Sequence, residues 1–214
     1  MAFVGKNFPN ISVDAIDYTG AAQKINILEK AQTENKKVIL FWYPKDFTFV
    51  CPTELHAFQQ AMDEFSKRNT LVIGASCDTP EVHFAWLNTP KNHGGIDGVK
   101  YPIIADSNRN LSAQLGILDI TNERYDETTG TVLVDGDNVT YRATYLIDEE
   151  GTVFHESVNH MPLGRNVQEF LRLIDAYTHV QENGEVCPAN WQEGATAMNA
   201  DRAGVAQYLS EQLN

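Results

Sequence analysis

Val38-Ile39-Leu40-Phe41-Trp42-Tyr43-Pro44-Lys45-Asp46-Phe47-Thr48-Phe49-Val50-Cys51-Pro52-Thr53-Glu54 joins an apolar run to a short loop and a cysteine followed at once by proline. β-Branched and aromatic residues dominate 38–43 and Pro44 ends the run, which is the pattern of a buried strand. Over residues 52–67, Leu55, Phe58, Met62 and Phe65 recur at three- and four-residue spacing. That spacing predicts a helix with Pro52 just inside its start and Cys51 in its first turn. Backbone N–H groups without helical partners and the positive end of the helix dipole favour an anion there, and the thiolate is the form of cysteine that attacks electrophiles. A strand, a loop and a helix-opening cysteine make this stretch a candidate reactive site.

Outward from it the chain alternates. After an amino-terminal segment with short β-like stretches, residues 70–75 read as a second strand, 81–87 as a short helix, 101–105 as a strand and 110–115 as a short helix. Residues 141–147 and 152–157 flank Asp148-Glu149-Glu150-Gly151 and read as a β-hairpin. Val167, Phe170, Leu171, Leu173, Ile174 and Tyr177 mark the apolar face of an amphipathic helix. Alternating elements followed by a hairpin predict an α/β domain with a mixed sheet. Residues 122–138, rich in Asp, Glu, Thr and Gly, read as an exposed excursion with a small hairpin. The pattern loosens from Gly184, and Val205, Tyr208, Leu209 and Leu213 resume helical spacing in the tail. The expected organisation is one domain over residues 1–180 and a tail over 181–214.

At 214 residues with 43% hydrophobic content the chain can bury a substantial core. A net charge of −13 and the lack of clustered Lys and Arg weigh against a nucleic-acid partner. No stretch of about 18 apolar residues occurs, and the opening Met-Ala-Phe-Val-Gly-Lys has no signal-peptide pattern, so the expectation is a cytoplasmic protein without a membrane span. Cys51, Cys77 and Cys187 are an odd number at wide spacing, unlike a small disulfide scaffold or a zinc site. No Cys-x-x-Cys pair is present, so any thiol that resolves an oxidised Cys51 comes from far along the chain.

A free cysteine is usually a buried small hydrophobe, but the neighbours of Cys51 point to chemistry. Thr48, three residues earlier, offers a hydroxyl that both donates and accepts, placed to reach the sulfur and hold a substrate oxygen. Pro44 offers a rigid turn with no N–H, able to shield a thiolate from water, and serves equally as a plain strand terminator. Cys77, in Ser76-Cys77-Asp78, reads as partly buried and non-catalytic. His56, His83, His93, His155 and His160 show no metal-ligand spacing and read as structural or surface residues.

Pro44-x-x-x-Thr48-x-x-Cys51 resembles the active-site signature of peroxiredoxins. The longer string from Asp46 to Glu54 is similar to the typical two-cysteine branch, which includes bacterial alkyl hydroperoxide reductase C subunits. Gly184-Glu185-Val186-Cys187-Pro188-Ala189-Asn190-Trp191 resembles the resolving-cysteine segment of that branch, and Phe84-Ala85-Trp86-Leu87-Asn88-Thr89-Pro90 and Pro162-Leu163-Gly164-Arg165 extend the likeness through most of the chain.

The resemblance implies a thioredoxin-like fold and a thiol peroxidase for hydrogen peroxide and small organic hydroperoxides, with no metal, flavin or haem. Cys51 becomes a sulfenic acid and Cys187 of a partner subunit condenses with it to an intersubunit disulfide. Arg142 matches the arginine that stabilises the thiolate and the charge developing on the peroxide. Glu54 either orients that arginine or, as a first-turn carboxylate, only stabilises the helix. Electrons come from a thioredoxin or a flavin-containing disulfide reductase. The expected assembly is a homodimer, five of which form a ring, with the segments of Phe47 and Trp86 near the contact between dimers; core packing is the other reading of those two. A ring-forming holdase chaperone is a secondary role, and a protein thiol-disulfide oxidoreductase, lacking Cys-x-x-Cys here, is disfavoured. Peroxide-sensitive members carry Gly-Gly-Leu-Gly and a terminal Tyr-Phe pair; Gly94-Gly95-Ile96-Asp97-Gly98 and Tyr208-Leu209 preserve half of each, implying intermediate sensitivity to overoxidation.

Overall fold

The computed structural model describes residues 2–120 and 122–212. The apolar run forms strand β3 (Lys37–Trp42), and all six of its residues are buried. A strand covered on both faces belongs in the middle of a sheet, and β3 lies there. It pairs in parallel with β4 (Thr70–Ser76) and antiparallel with β8 (Arg142–Ile147). With β1 (Ser12–Ile16), β2 (Ala22–Asn26), β5 (Ile103–Ala105) and β9 (Val153–Asn159), the seven-stranded mixed sheet runs in the order β2-β1-β5-β4-β3-β8-β9. The predicted α/β class is present.

Alternation along β3 divides the core. Val38, Leu40 and Trp42 join one cluster with Phe8, Ile73, Tyr145 and Val153, closed by Ile27 and Ala31 of α1 (Ile27–Glu34) and by Leu111 and Leu115 of α5 (Asn110–Leu115). Phe41 points the other way, stacked at 3.9 Å on Phe58 of α2 (Cys51–Gln60), with Tyr101 edge-on at 5.6 Å. Such an aromatic stack adds about 0.5–1.5 kcal/mol beyond its buried area and seats α2 on the strand that leads to it.

Two local features differ from the pattern. The helix predicted over 52–67 breaks at Ala61 into α2 and α3 (Met62–Lys67): the Ala61 N–H is shared between the Ala57 and Phe58 carbonyls, which tightens that turn and re-aims Phe65 into the core. Helix α1 lies where only strand-like stretches were expected; its start is the capping pattern Asn26-x-x-Glu29, with Asn26 Oδ1 accepting from the Glu29 N–H. The 148–151 hairpin turn holds because Asp148 Oδ1 accepts from the backbone of Glu150 and Thr152, and Gly151 has φ of 87° against Leu28, where a side chain has no room. α4 (Pro80–Leu87) closes the first part of the chain beside β1 and β5.

The excursion is a two-stranded ribbon of its own, β6 (Asn122–Asp126) with β7 (Thr131–Asp135), and nearly all of its side chains face solvent.

The chain divides into two compact units, residues 1–165 and 166–214. The second opens with α6 (Val167–Asn183), capped by the Asn166 side chain and ended by Gly184 at φ 68°. Its buried side chains, Val167, Phe170, Leu171 and Ile174, belong to the predicted apolar face. Val186 then bridges Met198, and Trp191 is buried with its Nε1 donating to the Ala195 carbonyl. The tail helix is α7 (Arg202–Gln212); Leu213 lies outside the described residues. Among the described residues no helix is long and apolar enough to cross a membrane.

Candidate active site

Cys51 is the first residue of α2, with Val50 as its cap. Valine has no acceptor to offer, so no side chain covers the N–H groups of that turn. The sulfur is fully buried, and its polar partner is Arg142, the first residue of β8, whose Nη1 donates to Sγ at 3.4 Å. The same Nη1 lies 2.7 Å from Glu54 Oε2, and Arg142 Nε donates to the Met161 carbonyl. Cys51 and Glu54 share a helix face because they are three residues apart.

Glu54 in turn is gripped by Arg165. Its Oε1 accepts from the Arg165 backbone N–H and Nε, both at 2.9 Å, and its Oε2 accepts from Nη2 at 2.8 Å. Arg165 Nη1 donates to the carbonyls of Trp42 and Ala143, each at 2.9 Å, and its guanidinium lies 5.3 Å from the Phe41 ring centroid. The carboxylate therefore joins α2, β8 and the 160–165 loop. Two guanidiniums and one carboxylate leave a single positive charge in a dry cluster, directed at the sulfur.

Pro44 is buried in the same segment. The Thr48 hydroxyl, in the segment that leads to Cys51, donates from Oγ1 to the Lys45 carbonyl at 2.8 Å, a local turn bond that satisfies its proton. Cys77 is buried beside the Ser112 hydroxyl at 3.7 Å, and burial pushes its thiol up to about 11, so it stays protonated at neutral pH. Cys187 belongs to the second unit; its thiol donates to the Ala176 carbonyl at 3.6 Å, and burial raises its pKa against the opposing pull of Arg172. All three cysteines are free thiols. Among the described residues no group of three or more His, Cys, Asp or Glu side chains is arranged to hold a metal.

Residues 4–156 match the AhpC/TSA family. The chain belongs to that family. Residues 176–211, which include Cys187, match the C-terminal domain of 1-Cys peroxiredoxin. The peroxiredoxin is 44% identical over 174 residues to an alkyl hydroperoxide reductase C of Helicobacter pylori, covering 81% of this chain and 80% of that protein. It is 36% identical over 211 residues to peroxiredoxin-1 of Gallus gallus, covering 99% and 97% respectively. Its fold matches the reduced 2-Cys peroxiredoxin of Plasmodium vivax at a TM-score of 0.87, with 38% identity over 98% of this chain and 100% of that one. The seven-stranded sheet with its helices is thus the thioredoxin-like fold of peroxiredoxins, and the protein is an antioxidant peroxidase of the oxidoreductase class.

Arg165 ends the family-like string but has no role that the linear chain reveals. Nothing in Pro162-Leu163-Gly164-Arg165 marks a buried arginine. The signal is in three dimensions: the buried Glu54 carboxylate accepts from both Arg142 and Arg165.

Proposed function

We propose that this peroxiredoxin reduces hydrogen peroxide and small organic hydroperoxides through Cys51, and the charge balance of Cys51, Arg142, Glu54 and Arg165 carries that reading. The Cys51 sulfur attacks the terminal peroxide oxygen; the O–O bond breaks, an S–O bond forms, and the proton given up by the thiol ends on the leaving oxygen as water or alcohol. Arg142 stabilises the attacking sulfur and the negative charge that develops on the leaving oxygen. Pro44 excludes water beside the sulfur, and Thr48 accepts a hydrogen bond from the substrate at the mouth. Glu54 holds Arg142 in place.

The sulfenic acid then condenses with Cys187 of a partner subunit, releasing water and forming an intersubunit disulfide. A thioredoxin or a flavin-containing disulfide reductase returns both thiols, with no metal, flavin or haem in the peroxidase itself. A homodimer, assembled five to a ring in the cytoplasm, fits this cycle, and β9 is an edge strand of the sheet, the kind of element that can pair with a second copy. A secondary holdase role would draw on exposed apolar side chains such as Phe49, which is 94% exposed; aggregation of an unfolded client in the presence of the reduced Cys187→Ser variant separates it from the peroxidase.

On a non-reducing denaturing gel, the reduced protein given one equivalent of hydrogen peroxide should run as a covalent dimer, and Cys51→Ser and Cys187→Ser should each remain monomeric. A wild type that stays monomeric with unchanged free thiols sinks the reading.

Overoxidation depends on how fast α2 opens. His56 Nε2 of α2 lies 3.1 Å from the Gly95 carbonyl, and Trp86 Nε1 donates to the Gly94 carbonyl. A Cβ at Gly95 would meet the Thr89 carbonyl oxygen at 1.8 Å, so only glycine closes this turn against the helix. With half of the loop motif present and Leu209 where sensitive members carry phenylalanine, sulfinic acid per turnover should fall between that of a fully sensitive and a robust relative. Mass spectrometry of Cys51 at rising peroxide checks this, and formation equal to the sensitive relative refutes it.

A further inference from the structure

A second polar cluster lies behind the segment that carries Cys51, and the peroxide chemistry uses none of it directly. Tyr43, Asp46 and His83 are buried, His83 completely. The Tyr43 hydroxyl donates to Asp46 Oδ1 at 2.8 Å, and Asp46 Oδ2 lies 2.7 Å from His83 Nδ1. The other ring nitrogen faces the Ile104 carbonyl of β5 at 3.2 Å. A carbonyl only accepts, so Nε2 carries a hydrogen. The Asp46 N–H donates to Asp78 Oδ2 at 2.9 Å, and the Ser76 hydroxyl donates to the same oxygen at 2.8 Å. Asp46 is therefore held from the end of β3, from the turn after β4 and from α4.

Burial pushes the Asp46 carboxyl and the Tyr43 hydroxyl up, so Tyr43 remains a donor at any physiological pH. Its backbone extends the same hold: the Tyr43 N–H donates to the Ala75 carbonyl, and the Tyr43 carbonyl accepts from Thr140 Oγ1, two residues before Arg142. The next residue after Asp46, Phe47, has φ of 55° with its ring 5.8 Å from Trp86. A non-glycine in that region persists only where its surroundings over-determine it. Beyond Phe47 the hold is weak, since Thr48 bonds only locally, Phe49 is exposed and Val50 supplies no side-chain cap.

We propose that Asp46 and His83 are positioning residues for the peroxide step: with Tyr43 they clamp the Pro44 end of the active-site segment. Only the Cys51 end then unwinds when a disulfide forms, and it returns to Pro44 and Arg142 in register. The inference rests on Cys51 being the peroxidatic residue. It makes shape, not charge, the requirement at position 46. An asparagine there satisfies the same partners, its oxygen accepting from Tyr43 and its amide donating to Nδ1 of a neutral His83.

The test is the second-order rate of Cys51 thiol loss to hydrogen peroxide in the full-length protein, counted in a single turnover with Cys51→Ser as blank. Asp46→Ala and His83→Ala should be slower by about tenfold or more, the scale at which ångström-level misplacement acts, with Asp46→Asn within about threefold of wild type. Tyr43→Phe removes one hydrogen bond without opening a cavity and should slow the step about threefold, so it decides the matter if the alanine variants do not fold. Folded alanine variants at the wild-type rate, or Tyr43→Phe at that rate where they fail to fold, overturn the clamp alone. Asp46→Asn as slow as Asp46→Ala overturns it in favour of a charge requirement. A wild type whose Cys51 thiol survives peroxide overturns the functional reading and the clamp with it.

Discussion

Glu54→Ala should lower the unfolding free energy by about 3–5 kcal/mol, the cost of leaving buried charges without their counterion. Glu54 is 4% exposed and accepts hydrogen bonds from Arg142 Nη1 and from three donors of Arg165. Removing the carboxylate leaves two guanidiniums facing each other in a site that water does not reach. Arg165 retains its bonds to the Trp42 and Ala143 carbonyls, so it stays buried and pays the full desolvation cost. Glu54→Gln keeps an acceptor but loses the charge, and should fall between the two proteins. Urea denaturation at fixed protein concentration measures this. A loss below about 1 kcal/mol for Glu54→Ala, the range of an exposed ion pair, would mean the cluster is not the dry, coupled unit described above.

Arg142→Met should slow the reaction of Cys51 with hydrogen peroxide by about 10²–10³-fold, the usual effect of deleting a preorganised donor aimed at developing charge. Arg142 is 3% exposed and fixed by Glu54 and the Met161 carbonyl, so its donor is in place before substrate arrives. Methionine fills comparable space, which keeps the packing term small beside the lost electrostatics. Arg142→Lys should recover little of the rate, because one ammonium cannot reproduce a fork that reaches Sγ, Glu54 and Met161 together. Stopped-flow rates at matched pH decide it. A methionine variant within about threefold of wild type would remove Arg142 from the chemical step.

The two predictions differ in how far they were legible beforehand. Arg142 and Glu54 could be named from the linear chain because each stands in a string that resembles peroxiredoxins. Their contact could not, since 88 positions separate them and pairing across a sheet leaves no trace in local pattern. Arg165 stands in a family-like string that does not show what it binds, and His83 carried no local signal of its partners. A buried arginine and a surface arginine look alike until their partners are known, and His83 gave no sign that β5 and the Pro44 loop would close around it. Thr48 stands in the family-like string, but only the folded turn shows that its proton goes to the Lys45 carbonyl.

Local pattern was sufficient for the elements whose cause is local. The run 38–43 is too apolar to lie anywhere but in a sheet buried on both faces, the Asp148 turn closes its own hairpin, and α6 announces its apolar face at helical period. The same locality placed Cys51 at the start of α2, because Pro52 and the spacing of Leu55 and Phe58 allow little else. What required the folded chain was every property that depends on electrostatic company: which cations surround the sulfur, which carboxylate orients them, and what anchors the loop before it. Coulomb forces and hydrogen bonds act through space at 3 Å, and here they join residues 37, 88, 91 and 111 positions apart.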